Sequence, residues 1–179
     1  MPVSSARLTY RKPEPGDAIR LFEIYSDPQT QLFNPTGPMK TMDQAEALLS
    51  DWIGHWDQHG FGWWAISESS TPEHVIGFGG VGQYDYLGDL RLNVGYRFAS
   101  EAWGKGYATE MGKYALSVAF STPGVERIWA VVRPANLASI NVLEKIGMQR
   151  CGVLDDVPGS PASLVFELTR LSDRTGGSR

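Results

Sequence analysis

The chain holds a single cysteine, Cys151, in 179 residues, so no internal disulfide can form and no cysteine-based zinc site can be assembled. A reducing compartment follows as the economical assumption, and a cytoplasmic location is expected. Histidine is scarce too, with only His55, His59 and His74 available. His55 and His59 stand four apart, which is ligand spacing on a helix, but a solvated helix face is the expected reading and no metal is expected. No apolar run approaches the ~20 residues that a membrane span needs, and the first residues lack an apolar signal core. An excess of positive charge is also absent. The formal net charge of −4 argues against a general nucleic-acid binder.

The hydrophobic share of 42% is enough for one well-buried core, and a single domain over residues 1–170 is expected. Residues 171–179 end in "SDRTGGSR", which carries no apolar side chain and predicts disorder. Between these limits the periodicity changes several times. "ARLTYR" alternates ahead of Pro13 and Pro15 and reads as a first strand. "GDAIRLFEIYSD" and "MDQAEALLSDWIGHWDQHG" have helical spacing, separated by the loop-rich "PQTQLFNPTGPMKT". "FGWWAIS", "HVIGFGGVGQY" and "LRLNVGYRF" then follow as three strands with short connections, which favours antiparallel pairing. Glycines 77, 79, 80 and 82 weaken the middle one unless a bulge or a closely approaching neighbour explains them. A long helix after "WGKG", the apolar strand "VERIWAVV", a helix opened by Asn136 and closed by Gly147, and two final strands complete the reading.

The junction "WGKGYATE" sets two glycines and a lysine ahead of the long helix, a composition suited to an anion at a helix N-terminus. A Walker loop is excluded, because Gly104-Lys105 is followed by Gly106 rather than Ser or Thr. The dinucleotide fingerprint G-x-G-x-x-G fails at Thr109, and the loop follows antiparallel-looking strands in mid-chain. An ordinary turn with a solvated lysine is the structural alternative for an isolated G-x-G.

Context favours the anion site, because the residues resemble the GNAT acetyltransferase superfamily, and within it the branch that acetylates the N-termini of ribosomal proteins. Trp103-Gly104-Lys105-Gly106-Tyr107-Ala108 fits the acyl-CoA pyrophosphate loop [QR]-x-x-G-x-[GA] from its third residue on. "NLASINVLEKIGM" is similar to the second CoA-side helix, and "GFGWWAI" and "VIGFGGV" look like the strands that precede the loop. The resemblance implies an α+β fold, with a twisted, mostly antiparallel sheet of about seven strands flanked by about four helices. It also implies a splayed V between the fourth and fifth strands, with a bulge near Gly95.

The activity so implied is direct transfer of acetyl from acetyl-CoA to a primary amine, a protein N-terminal amino group first among the acceptors. A small amine (amino acid, polyamine or antibiotic) and a CoA-binding sensor without turnover are the alternatives. No nucleic-acid or membrane partner is implied, and the chain would act as a monomer or homodimer. Amides from Gly104 to Thr109 would hold the pyrophosphate, with Lys105 beside it. The strand carrying Tyr96, Arg97 and Phe98 would pair its backbone with the pantetheine arm, and a backbone N–H between Gly95 and Arg97 would stabilise the oxyanion. The tyrosine that many members use as general acid is absent, since Leu143 stands in its place. Ser139 is the expected substitute, with Asn136 on the pantetheine. Where relatives carry a glutamate base this chain has Asn93, which cannot take a proton, and Glu101, Asp85 or a water chain to solvent would replace it.

Overall fold

The computed structural model describes residues 3–171, so all but Leu171 of the tail expected to be disordered lies outside the described residues. Among the described residues, eight strands form one sheet. They are β1 (Val3–Ser4), β2 (Leu8–Arg11), β3 (Trp63–Glu68), β4 (Val75–Asp85), β5 (Leu90–Phe98), β6 (Arg127–Val132), β7 (Gln149–Leu154) and β8 (Ser163–Thr169). Four helices accompany them: α1 (Ala18–Ser26), α2 (Met42–His59), α3 (Tyr107–Ser121) and α4 (Leu137–Lys145). The strand order is β1-β2-β3-β4-β5-β6-β8-β7. Every neighbouring pair is antiparallel except β5 and β6, which run parallel. The strand beyond the expected seven is the two-residue β1, too short to leave an alternation in the sequence.

Helix limits follow local chemistry. Thr41 caps α2 by accepting from the Gln44 amide, Gln44 returns the bond to complete a capping box, and Gly60 closes the helix at φ 73°. Asn136 caps α4 by accepting from the Ser139 amide at 3.2 Å. The helices cover opposite faces of the sheet. α3 and α4 enclose a core around Tyr10, Ile66, Phe98, Met111, Ile128 and Phe166. α1 and α2 enclose a second around Leu21, Ile24, Leu49 and Phe78.

The glycines of β4 have a packing reason. Gly77 lies opposite Phe98 and Gly79 opposite Tyr96, and a Cβ on them would stand 2.6 Å from the Phe98 ring and 2.7 Å from the Tyr96 Cβ. Glycine faces an aromatic residue across the ladder twice, which lets β5 carry large side chains close to its partner. Gly80 adopts φ 154°, and a side chain there would meet the Gly62 carbonyl at 2.5 Å. The bulge expected near Gly95 is not present, because the β4–β5 register runs unbroken from Gly77↔Phe98 to Asp85↔Leu90. Gly95 is needed for a different reason: the Trp63 indole fills the space above it, 2.7 Å from where a Cβ would be.

β5 and β6 share one residue pair, Asn93↔Trp129, and part beyond it. The connection between them runs through α3, as a parallel crossover requires. The fold is therefore the α+β arrangement expected, V included.

His55 ties α2 to the sheet in one protonation state. Its Nδ1–H donates to the Phe61 carbonyl at 2.9 Å, while Nε2 accepts from the Gln83 amide at 3.2 Å. Partial burial holds this imidazole below its ordinary range; the Phe61 carbonyl pulls the other way, and neighbouring His59 adds to the depression. A base with a folded pKa below its unfolded one stabilises the fold above the unfolded value, near 6.5, and loses that contribution as pH falls below it. The unfolding free energy in urea should accordingly decline from pH 7 to 5.5, and His55→Gln should flatten that decline. Equal slopes in the two proteins would exclude His55 as the cause.

Candidate active site

Beyond Asn93 the parted strands border a cleft of about 760 Å³. Asn93 to Tyr96 of β5 form one side and Ala130 to Val132 of β6, with Arg133, the other; Ser139 and Leu143 of α4 and its cap Asn136 also line it. The mouth is made by the α1–α2 loop at Phe33–Thr36, the β4–β5 hairpin at Tyr84, Asp85 and Leu87, and the β7–β8 loop at Asp156–Pro158.

Of the residues expected at the site, the cleft unites Asn93, Tyr96, Asn136 and Ser139. Tyr96 goes beyond its expected backbone part, since its hydroxyl donates to Ser139 Oγ at 3.2 Å. Burial raises the Tyr96 pKa and the Ser139 contact opposes that rise, so the phenol stays protonated at neutral pH. Ser139 Oγ accepts that bond and keeps its own proton for another partner. Leu143 is buried in the core beneath this pair.

Asn93 is committed at both ends: Oδ1 accepts from the Tyr86 hydroxyl at 2.6 Å and Nδ2 donates to the Val94 carbonyl at 3.1 Å. It braces the point where the strands part. Glu101 stands apart from the cleft, in a short 3-10 turn after β5, where Arg20 bonds its carboxylate and His74 lies 3.7 Å away. Some desolvation pushes its pKa up, but hydrogen bonds from its own backbone and from Arg20 outweigh it and leave the carboxyl below its usual range. Glu101 is thus poorly placed and poorly tuned to take a proton. Arg97 also points elsewhere. Its guanidinium bonds the Thr30 carbonyl and lies 5.1 Å from the centre of the Tyr25 ring, so it fixes the loop at the cleft mouth and leaves only its backbone for the slot. Phe98 is core.

The carboxylates at the mouth differ. Asp156 is held by Arg133 at 3.2 Å and by the Ser163 hydroxyl at 3.0 Å. Asp85 accepts the Gly88 amide and forms no ion pair among the described residues. One uncompensated negative group therefore faces the opening.

The glycine junction is a turn into α3. Gly104 and Gly106 take φ 74° and 79°, and Gly106 is the N-cap. These left-handed positions aim the following amides, which have no i−4 partners, out of the helix end. Tyr107, Ala108 and Thr109 form the first turn, and Trp103 anchors the approach by donating Nε1–H to the Phe98 carbonyl at 3.0 Å. Lys105 reaches Glu68 at 3.2 Å, and Glu68 also accepts from the Tyr107 hydroxyl at 2.8 Å.

Arg7 is the participant that the sequence did not disclose. Its Nη1 donates to the Lys105 carbonyl at 2.8 Å, its Nε meets Glu110 at 2.8 Å, and its guanidinium stacks 4.7 Å from the Tyr107 ring centre. Glu110 also accepts from the Arg7 amide and the Ser5 hydroxyl. A half-exposed pair contributes no more than about 1 kcal/mol, so its value is geometric: it holds a second cation beside the loop. No local motif announces a contact between residues 7 and 110.

Among the described residues no three potential metal ligands cluster, and no helix is long and apolar enough to cross a membrane. The family model described as an acetyltransferase (GNAT) domain matches residues 7–149. The uncharacterized N-acetyltransferase p20 of Bacillus licheniformis is 31% identical over 162 residues, covering 89% of this chain and 88% of that protein. Among solved structures, RimJ of Mycobacterium smegmatis in complex with CoA-disulfide superposes with TM-score 0.73 at 25% identity, covering 91% of this chain and 82% of that one. Spermidine N-acetyltransferase of Vibrio cholerae in complex with CoA and spermine gives TM-score 0.74 at 18% identity, covering 92% and 96%. With a family model that matches residues 7–149 and a relative 31% identical over most of both chains, the chain belongs to the GNAT acetyltransferase family and is an N-acetyltransferase.

Proposed function

We propose that the protein transfers acetyl from acetyl-CoA to the α-amino group of a protein or peptide, as the ribosomal-protein branch of the family does. The observation that carries the acceptor reading is Asn93. Its carboxamide is not a base and is engaged at both ends, and Glu101 is not among the residues that line the cleft. An α-amine, with pKa near 7.7–8.0, is about one-third neutral at pH 7.5, whereas an amine near 10.4 is neutral only about 0.1% of the time. A site whose carboxylates, Asp85 and Asp156, stand at the mouth rather than on the parted strands suits an acceptor that loses its proton to water unaided. The open cleft supports a peptide. The Asp85 and Asp156 carboxylates at its mouth, together with the spermine complex of a protein sharing the fold, favour a small cationic amine as the second reading.

The residues fit the donor. The left-handed glycines open a cradle at the start of α3 with Arg7 and Lys105 beside it, and the helix dipole adds about 0.3–1 kcal/mol for an anion there. The exposed edge of β5 beyond Asn93 can pair with an extended pantetheine arm. In the reaction the amine nitrogen attacks the thioester carbon, the C–N bond forms, and negative charge gathers on the carbonyl oxygen near the β5 amides. As the oxyanion collapses and the C–S bond breaks, the attacking nitrogen, positively charged after attack, gives up its extra proton to water. Ser139 donates its hydroxyl proton to the departing sulfur and is restored through Tyr96 and solvent. Asp85 attracts the cationic acceptor to the mouth before it sheds its proton.

With a short peptide bearing a free α-amine, kcat/KM at pH 7.5 should exceed that for spermidine, or for a lysine in an N-terminally blocked peptide, by roughly a hundredfold. It should rise with pH as the α-amine loses its proton. Preference for spermidine or for the lysine would contradict the α-amine reading. Steady-state kinetics of variants separates the roles: Gly106→Val should raise KM for acetyl-CoA roughly tenfold, whereas Ser139→Ala should lower kcat by about 10²-fold with little change in KM. If Tyr96 acts through Ser139, Tyr96→Phe should cost about tenfold alone and nothing further when combined with Ser139→Ala. Additive losses would make Tyr96 independent of the serine.

A further inference from the structure

We infer that the acceptor carries a large apolar side chain next to its amine and that Leu87 reads it, an inference that rests on the acyl-transfer reading of the cleft. Leu87 has φ 57° and is the one non-glycine residue with positive φ among the described residues. It shares the tip of the β4–β5 hairpin with Gly88, at φ 96°, where Tyr86 and Asp89 close a two-residue turn by bonds of 2.9 and 3.4 Å. Two positive φ values identify a type I′ turn, whose first central position favours Asn, Asp or Gly. A leucine is strained there, and strain of this kind is retained where a side chain has a task.

Packing does not supply that task, because Leu87 is 65% exposed. It lines the cleft mouth. Tyr84 of the same hairpin and Phe33 of the α1–α2 loop, 47% and 36% exposed, line the same opening. Asp85 stands in sequence between Tyr84 and Leu87, so one lip offers an anionic group flanked by apolar surface. A hydrophilic polycation would leave those side chains exposed to water. An α-amine whose own residue is aliphatic or aromatic would set its charge toward Asp85 and its side chain against Leu87, Tyr84 and Phe33.

The test compares two acceptors, the tetrapeptide amides Leu-Gly-Gly-Gly and Ser-Gly-Gly-Gly, on the wild-type protein and on Leu87→Asn. Melting temperature and calorimetric binding of coenzyme A are recorded for both proteins. The wild type should favour the leucyl peptide roughly tenfold or more in kcat/KM. Leu87→Asn should bring the ratio close to one, mainly through KM, while raising Tm by about 2–4 °C as the turn is relieved. An equal ratio in the two proteins, no leucyl preference in the wild type, or a Tm that stays level or falls would each overturn the assignment. Coenzyme A binding with neither peptide acetylated would overturn it as well. Absence of both coenzyme A binding and turnover would remove the acyl-transfer reading beneath it, a result distinct from the others.

Discussion

The single residue pair between β5 and β6 governs this molecule. Two neighbouring parallel strands ordinarily continue their ladder, and interrupting it leaves backbone donors and acceptors that need other partners. Here the ladder stops at Asn93↔Trp129, and the side chain of Asn93 is fixed by Tyr86 on one side and its own strand on the other. Everything that gives the chain a cleft follows from that interruption. An extended ligand can supply the missing partner to β5, and a reacting centre can sit between the strands without being built on a mobile loop.

Rigid support for the opening comes from aromatic residues packed over glycines and from contacts between distant parts of the chain. Gly77 and Gly79 make room for Phe98 and Tyr96, and Gly95 makes room for Trp63. β5 therefore stays registered on β4 while it leaves β6. The Arg97 guanidinium secures the loop at Thr30, and the Glu110 carboxylate secures Arg7 next to the turn at Gly104–Gly106. The half-exposed Arg7–Glu110 pair is not energetically large. Each contact determines where a loop or a cation stands relative to the slot.

Much of this was legible in the amino-acid sequence, for physical reasons that can be named. The strands, the helix limits and the glycines of the turn into α3 are local features: Gly60 and Gly106 sit at left-handed positions, Thr41 and Asn136 cap helices, and alternation marks the strands. The splay was anticipated only through family resemblance, because no local pattern says where a ladder stops. Gly95 illustrates the difference. A glycine in a strand suggests a bulge, but the Trp63 indole that requires it lies on another strand. Glu101 is a carboxylate near the loop in sequence, but its partner Arg20 is remote in sequence and meets it only in the folded chain. Arg7 and the hydroxyl bond between Tyr96 and Ser139 were invisible for the same reason, since they join residues that meet only in the folded chain. The strained Leu87 stayed unnoticed because a backbone angle leaves no compositional trace beyond the following glycine.

Backbone amide hydrogen exchange with and without coenzyme A addresses the parted strands most directly. Protection should appear in residues 94–98, where β5 has left β6, and in residues 104–109 at the start of α3, while β3 and the β3-facing side of the sheet keep their rates. Coenzyme A binding that leaves residues 94–98 exchanging as fast as before would contradict the idea that the ligand completes the interrupted ladder.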